Sequence, residues 1–139
     1  MTLHDLTQHI KTAFERLYAV NSYHLGDVYA YWNAANVQYL SVVADLVSVR
    51  TDENAVFYTF RIHAADRETQ IPNEHTNYEQ LQNVLELGLN YLNSVDGITI
   101  PYPRNYTVAH QKFMDVLSIM YIDVEIEVEN DIIGGCYDE

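Results

Sequence analysis

Residues 37–64 hold the pattern that most restricts the fold. "NVQYLSVVADLVSVR" and "AVFYTFRIHA" are rich in β-branched and aromatic residues, and only "TDEN" separates them. Runs of this composition read as strands. Two strands with a short polar link make a β-hairpin. In the first strand Leu40, Val42, Ala44 and Leu46 share one face, while Val37, Tyr39, Val43, Val47 and Val49 share the other. In the second, Val56, Tyr58, Phe60, Ile62 and Ala64 alternate with Thr59, Arg61 and His63. Side chains alternate across a strand, so a ribbon apolar on both faces must be covered on both.

Helical patterns flank the hairpin. Leu3, Leu6, Ile10, Phe14 and Leu17 recur at three and four residues, and Thr2 with Asp5 forms a capping pair. Asn21, Ser22 and Gly26 end that segment. A second stripe, Tyr78, Leu81, Leu85, Gly88, Leu89 and Leu92, predicts a helix over 78–93, with Gly88 expected to admit close approach to the sheet. Between the first helix and the hairpin, "DVYAYWNA" reads as a short strand or arm. "DGITIPYPRN" reads as a loop and "YTVAHQKF" as a strand. "MDVLSI" leads into "YIDVEIEVEN", where Asp123, Glu125, Glu127 and Glu129 alternate with Ile122, Val124, Ile126 and Val128. The order helix, strands, helix, strands predicts an α+β fold. Its sheet is mostly antiparallel, with a long central hairpin and two helices packed on one face. Residues 1–130 are expected to form a single domain, and 131–139, "DIIGGCYDE", a C-terminal tail.

Charge narrows the function classes. Across 139 residues, 20 acidic side chains face 7 basic ones, for a net charge of -13. Nucleic-acid affinity comes from Lys and Arg neutralising phosphates, so sequence-specific DNA or RNA binding is not expected. Acidic surfaces suit basic partners and divalent cations. The single cysteine, Cys136, has no partner for an internal disulfide and no basic neighbour to activate it. No apolar run approaches the roughly 20 residues of a membrane span, and the N-terminus lacks the apolar core of a signal peptide.

The acidic ladder has several readings. Same-face carboxylates about 7 Å apart repel one another unless they are solvated, screened or paired. They serve a solvated sheet face, guard an edge against stray pairing, or meet Lys and Arg of a neighbouring chain. Calcium prefers a curved loop with more oxygens than a straight strand supplies, so no metal is expected there. Asp45 lies among apolar residues and is expected to pair with Arg50 or Arg61, or else to be a buried acid. The six histidines match no zinc spacing, and His63 and His110 meet only if their strands pair. No GxSxG, Walker A or GxGxxG run is present, so no catalytic residue is assigned and no cofactor is expected. Tyr29, Tyr31, Trp32 and Tyr39 concentrate large amphipathic rings in one stretch, and such rings favour protein interfaces. They join Asp123, Glu125, Glu127 and Glu129 as the predicted partner interface. A ribbon with this much apolar surface predicts a homo-oligomer.

The layout resembles the phage tail terminator and head–tail completion (neck) proteins. The likeness rests on the opening helix Leu3–Leu17, the hairpin Val37–Ala64, the mid-chain helix Tyr78–Asn93 and the closing β-pair that ends in "YIDVEIEVEN". It covers roughly residues 3–130. The resemblance implies a structural virion protein without catalytic residues. Such a chain forms a ring, usually hexameric, binds other neck or tail proteins, and is made in the host cytoplasm. It also implies strands lined up around a channel, with the ladder facing the lumen or a basic surface on a neighbouring ring. The aromatic arm Val28–Asn36 departs from that pattern. Two alternatives stand beside this reading. One is a small metal-dependent hydrolase or nuclease using Asp45 with ladder acids. The other is an adaptor that binds a basic partner protein.

Overall fold

A computed structural model describes residues 1–34, 36–68, 74–112 and 116–129. The expected tail 131–139, with Cys136, lies outside them. The described chain runs α1 (Leu3–Glu15), β1 (Ser22–Leu25), α2 (Val28–Trp32), β2 (Ser41–Thr51), β3 (Ala55–Arg67), α3 (Glu74–Asn93), β4 (Ile98–Thr99), β5 (Thr107–Lys112) and β6 (Val116–Glu129). The strands form one sheet in the order β1-β2-β3-β6-β4, with β5 also on β6. β1 pairs parallel to β2, and every other pairing is antiparallel. The expected α+β class and the hairpin are both present.

Local chemistry sets the elements. The Thr2 hydroxyl accepts from the Asp5 amide at 3.1 Å, and the Asp5 carboxylate accepts from the Thr2 amide at 3.1 Å. This reciprocal cap satisfies two amide donors at the α1 start. From α1, Leu6, Ile10, Ala13 and Phe14 enter the core. From α3 come Leu81, Leu85, Leu89 and Leu92. Both helices cover the inner face of the sheet, where Val42, Phe60, Ile62, Ile122, Val124 and Ile126 lie buried. Gly88 does admit a close approach, though to α1 rather than the sheet. A Cβ there would overlap the Phe14 ring.

Three readings need correction. The arm Val28–Asn36 is not a strand, because its first residues form the helix α2. Asp27 caps it by accepting from the Tyr29 amide at 2.9 Å, and Val28 and Trp32, one turn apart, point into the core. The cap and the i,i+4 apolar pair outweigh the β-propensity of the aromatic residues. A short parallel strand, β1, precedes it, where Asn21, Ser22 and Gly26 were read only as the end of the first helical segment. The third correction concerns register. A bulge between Leu46 and Ser48 carries Val47 as the extra residue, so Val49 lies opposite Tyr58 and Arg50 opposite Phe57. An inserted residue reverses the alternation beyond it, and Val49 therefore does not share a face with Val43.

These differences bear on the ribbon's exposure. The outer face is covered in part by the chain itself. α2 closes over Val43, Ala65, Leu117 and Ile119, with Trp32 at the centre of this second core. What remains apolar and exposed on the hairpin is its far end, where Val47 is 53% and Val49 is 52% exposed. There, among the described residues, β2 pairs on one side only, because β1 stops opposite Ala44.

Candidate functional site

The uncovered half of the outer face is the polar surface of the sheet. Its rows cross three strands. Asp45, Arg61 and Asp123 stand in one row, and the next row, Val43, His63 and Tyr121, begins the part that α2 covers. Arg61 reaches across to Asp123 with two bonds, Nε to Oδ1 at 2.7 Å and Nη2 to Oδ2 at 3.0 Å. Those bonds hold the Asp123 carboxyl below its ordinary pKa and raise that of Arg61. One row pair along, Arg50 Nη2 donates to Glu125 Oε1 at 2.9 Å while its guanidinium covers the Phe57 ring at 3.9 Å.

The ladder of four carboxylates is thus divided. Asp123 and Glu125 are matched within the chain, whereas Glu127 and Glu129 have no ion-pair partner among the described residues. Asp45, expected to pair with Arg50 or Arg61, pairs with neither. Both guanidiniums turn toward β6, because two carboxylates await them on that side. Half-buried Asp45 is left without a hydrogen bond from them.

The four aromatic residues of the predicted interface separate. Tyr29 stands exposed on α2. Tyr31 is half-buried and stacks flat on His24 at 4.3 Å. Tyr39 is half-buried beneath the Arg67 guanidinium at 5.3 Å. Trp32 is fully buried and its Nε1 donates to Ser41 Oγ at 3.0 Å, so its ring belongs to the chain's own interior. A buried indole N–H needs such an acceptor, and the Ser41 hydroxyl supplies it.

Where α2 meets the polar half, a cleft of about 210 Å³ opens. Val28, Tyr29, Trp32, Arg61, His63 and Tyr121 line most of it. His63 is buried, with Nδ1 unpartnered, and packs edge-on to Trp32 at 5.8 Å and tilted against Tyr121 at 5.3 Å. Burial, then the neighbouring Arg61 charge, lowers its pKa, with partial offsets from the Val43 backbone and the Asp45 and Asp123 carboxylates. The imidazole is therefore held neutral. His63 and His110 do not meet, since β6 lies between their strands, and His110 Nε2 contacts Glu68 at 2.7 Å instead. Sequence reasoning placed Arg61 and His63 on one strand face, but named Arg61 only as a partner for Asp45 and His63 only as a possible neighbour of His110. The signal was their alternation with the core residues of β3.

Elsewhere, Arg104 ties the loop after β4 to α3. Its side chain is 2% exposed, and Nη1 donates to Glu86 at 3.1 Å and Asn90 at 2.8 Å. The Tyr106 hydroxyl also donates to Glu86, and burial with that bond raises its pKa. Among the described residues no group of three His, Cys, Asp or Glu gathers to hold a metal ion. Nor is any described helix long and apolar enough to cross a membrane. Compared with known protein families and with curated proteins, the chain matches none.

Proposed function

We propose that this chain is a non-catalytic structural subunit of a phage neck or tail, a tail terminator or head–tail connector that assembles with copies of itself into a ring. The observation that carries the reading is the end of the hairpin. From Val47 to Thr51, β2 is exposed, pairs on one side only among the described residues, and presents two valines to solvent. An unpaired edge with exposed apolar side chains is a surface that another chain completes. The acidic pair Glu127 and Glu129 sits at the same end of the sheet, since Glu129 lies opposite Ala55. Ladder carboxylates left unmatched among the described residues are available to cations of a neighbouring ring, or keep a lumen repellent to DNA phosphates. The element order of the resemblance, an opening helix, a long hairpin, a mid-chain helix and a closing β-pair, also supports it.

The test is the mass of the purified chain against concentration, with negative-stain imaging of the largest species. Closed rings are expected, and Val47→Asp with Val49→Asp should weaken them. A chain that stays monomeric at high concentration and binds no neck or tail protein would defeat the reading.

A further inference from the structure

We propose that copies of this chain join edge to edge, β1 of one copy pairing antiparallel with β5 of the next, so that their sheets run on as one. The inference rests on the assembly reading above and names one contact within it.

Register matches the two edges. Among the described residues, β1 and β5 are the outermost strands at one end of the sheet, each paired on one side only. The row through Ser41, Ala65 and Ile119 ends in Ser22 on one edge and Ala109 on the other. The next row ends in Tyr23 and Val108, and the third in His24 and Thr107. The edges are thus level, and a copy set beside another without a shift along the strands brings β1 to β5. Direction agrees as well. β1 runs parallel to β2, and three antiparallel pairings lead from β2 to β5, so β5 runs against β1. Copies in the same orientation therefore make an antiparallel ladder at the joint, with inner-face residues opposite inner-face residues. Each edge strand presents unused amides and carbonyls, which the other satisfies. On β5 the Ala109 carbonyl accepts from the Tyr78 hydroxyl at 3.5 Å, too long a bond to hold the edge closed.

Side chains fit the same joint. Val108 shares a row with core residues Ala64 and Met120, yet is 56% exposed at the edge. Opposite it in the ladder comes the neighbour's Tyr23. There Thr7, Gln8 and Lys11 of α1 line a pocket of about 220 Å³ with Tyr23 and the exposed Leu25. A cavity of about 150 Å³ takes a benzene ring, so this one has room for the valine. Charge selects β5 as the partner of β1. Lys11 reaches Glu15 at 4.0 Å, with both side chains about half exposed. Tyr106, the residue before β5, donates to Glu86 on the flank of α3. At the joint the α1 flank with Lys11 faces the α3 flank with Glu86, cation toward carboxylate. Pairing β5 with a second β5 would instead set the Glu86 flank against itself. The exposed end of β2 lies on the same edge as β1, beyond Leu25, so the contact is continuous with the surface that carries the assembly reading. Two different edges meet, and such a head-to-tail contact closes into rings or extends into filaments.

The experiment uses the full chain with Cys136→Ser, which removes its single native thiol. Thr107→Cys and His24→Cys then place one thiol on each edge. Within a copy the two positions are four strand spacings apart, about 19 Å, beyond the reach of a disulfide. Circular dichroism checks that the variants fold. Under oxidised glutathione, the chain carrying both substitutions should give a ladder of covalent multimers. A mixture of the two single variants should give a covalent dimer and stop. Self-linked dimers of either single variant in place of the mixed one would mean a two-fold contact and overturn the proposal. Without added thiols, Val108→Asp should shift assembly in light scattering to concentrations at least about tenfold higher, because a charge on an edge strand opposes pairing. A Val108→Asp chain that assembles as the wild type does, or assembly with no linkage between the two positions, would overturn this contact and leave the assembly reading standing. A wild type that is monomeric at every concentration overturns both.

Discussion

On the inner face β3 presents Val56, Tyr58, Phe60, Ile62 and Ala64, all buried, while the residues between them present Phe57, Thr59 and Arg61 half-buried on the outer face. β6 repeats the contrast, with Ile122, Val124, Ile126 and Val128 inside and Asp123, Glu125, Glu127 and Glu129 outside. The two faces of one sheet are held by different forces. The inner face rests on apolar area removed from water under α1 and α3, at about 1.5–3 kcal/mol for each large side chain. The outer face is itself divided. Beneath α2 it is a second core, and beyond α2 it is a lattice of exposed ion pairs worth at most about 1 kcal/mol each. Stability is thus concentrated on the inner face and beneath α2, and the open half of the outer face adds little to it.

Substitutions sharpen this contrast most where it is largest. Phe60→Ala should cost about 3–5 kcal/mol in urea unfolding, whereas Thr59→Ala, its neighbour on the opposite face, should stay within about 0.5 kcal/mol. Trp32→Ala should fall with Phe60→Ala if the ground under α2 is true core. A cost below about 1 kcal/mol would make α2 a loosely held arm instead.

Gly88→Ala probes the seam between the two inner helices. Alanine adds up to about 1 kcal/mol of helix propensity. Its Cβ would overlap the buried Phe14 ring, so a net loss of about 1–3 kcal/mol is expected from thermal melts. A gain in stability would show that α1 and α3 are less closely packed than described.

The pH dependence separates the covered and open halves of the outer face. His63 has a lowered folded pKa, so the unfolded chain binds its proton first as the solution acidifies. Its contribution is fully present above the unfolded value of about 6.5, and it declines as pH falls from there toward the folded pKa. Asp123 also has a lowered folded pKa. Its contribution is present above about 3.9 and is lost below that. Denaturation across pH 4.5–6.5 should therefore lose part of its slope in His63→Phe and keep it in Asp123→Asn. The reverse result would reassign the titrating group.

The smallest effect belongs to the lattice. A double-mutant cycle on Arg61 and Asp123 should return less than about 1 kcal/mol of coupling, falling with salt, because both side chains are nearly half exposed. A larger, salt-independent value would place that pair in the structural core rather than at the rim of the cleft.

Much of the inner face was legible beforehand. The period-2 patterns of β3 and β6, the polar link at Thr51–Asn54 and the stripes of α1 and α3 require only that apolar residues at a fixed spacing leave water together. The acidic ladder's shared face follows from the same alternation. The site was less legible. Nothing in "VVADLVSVR" marks the bulge at Val47, because an inserted residue is a matter of pairing with β3 and not of composition. "VYAYW" has strand-like residues, and only the docking of Val28 and Trp32 on the sheet makes it helical. That Arg61 chooses Asp123 over Asp45 depends on which strand lies on its other side, and that β3 neighbours β6 is set by chain topology.

The sequence by itself determined the class, the hairpin, the amphipathic helices and a strand with carboxylates on one side, since each follows from local periodicity acting within a few residues. The tertiary structure alone decided that a third helix covers half the outer face, that His63 and Tyr121 meet there with Trp32, and that Val47 and Val49 remain in the open. Those outcomes join residues from four elements distant in the chain, α2, β2, β3 and β6, and such meetings depend on the packing of the whole sheet.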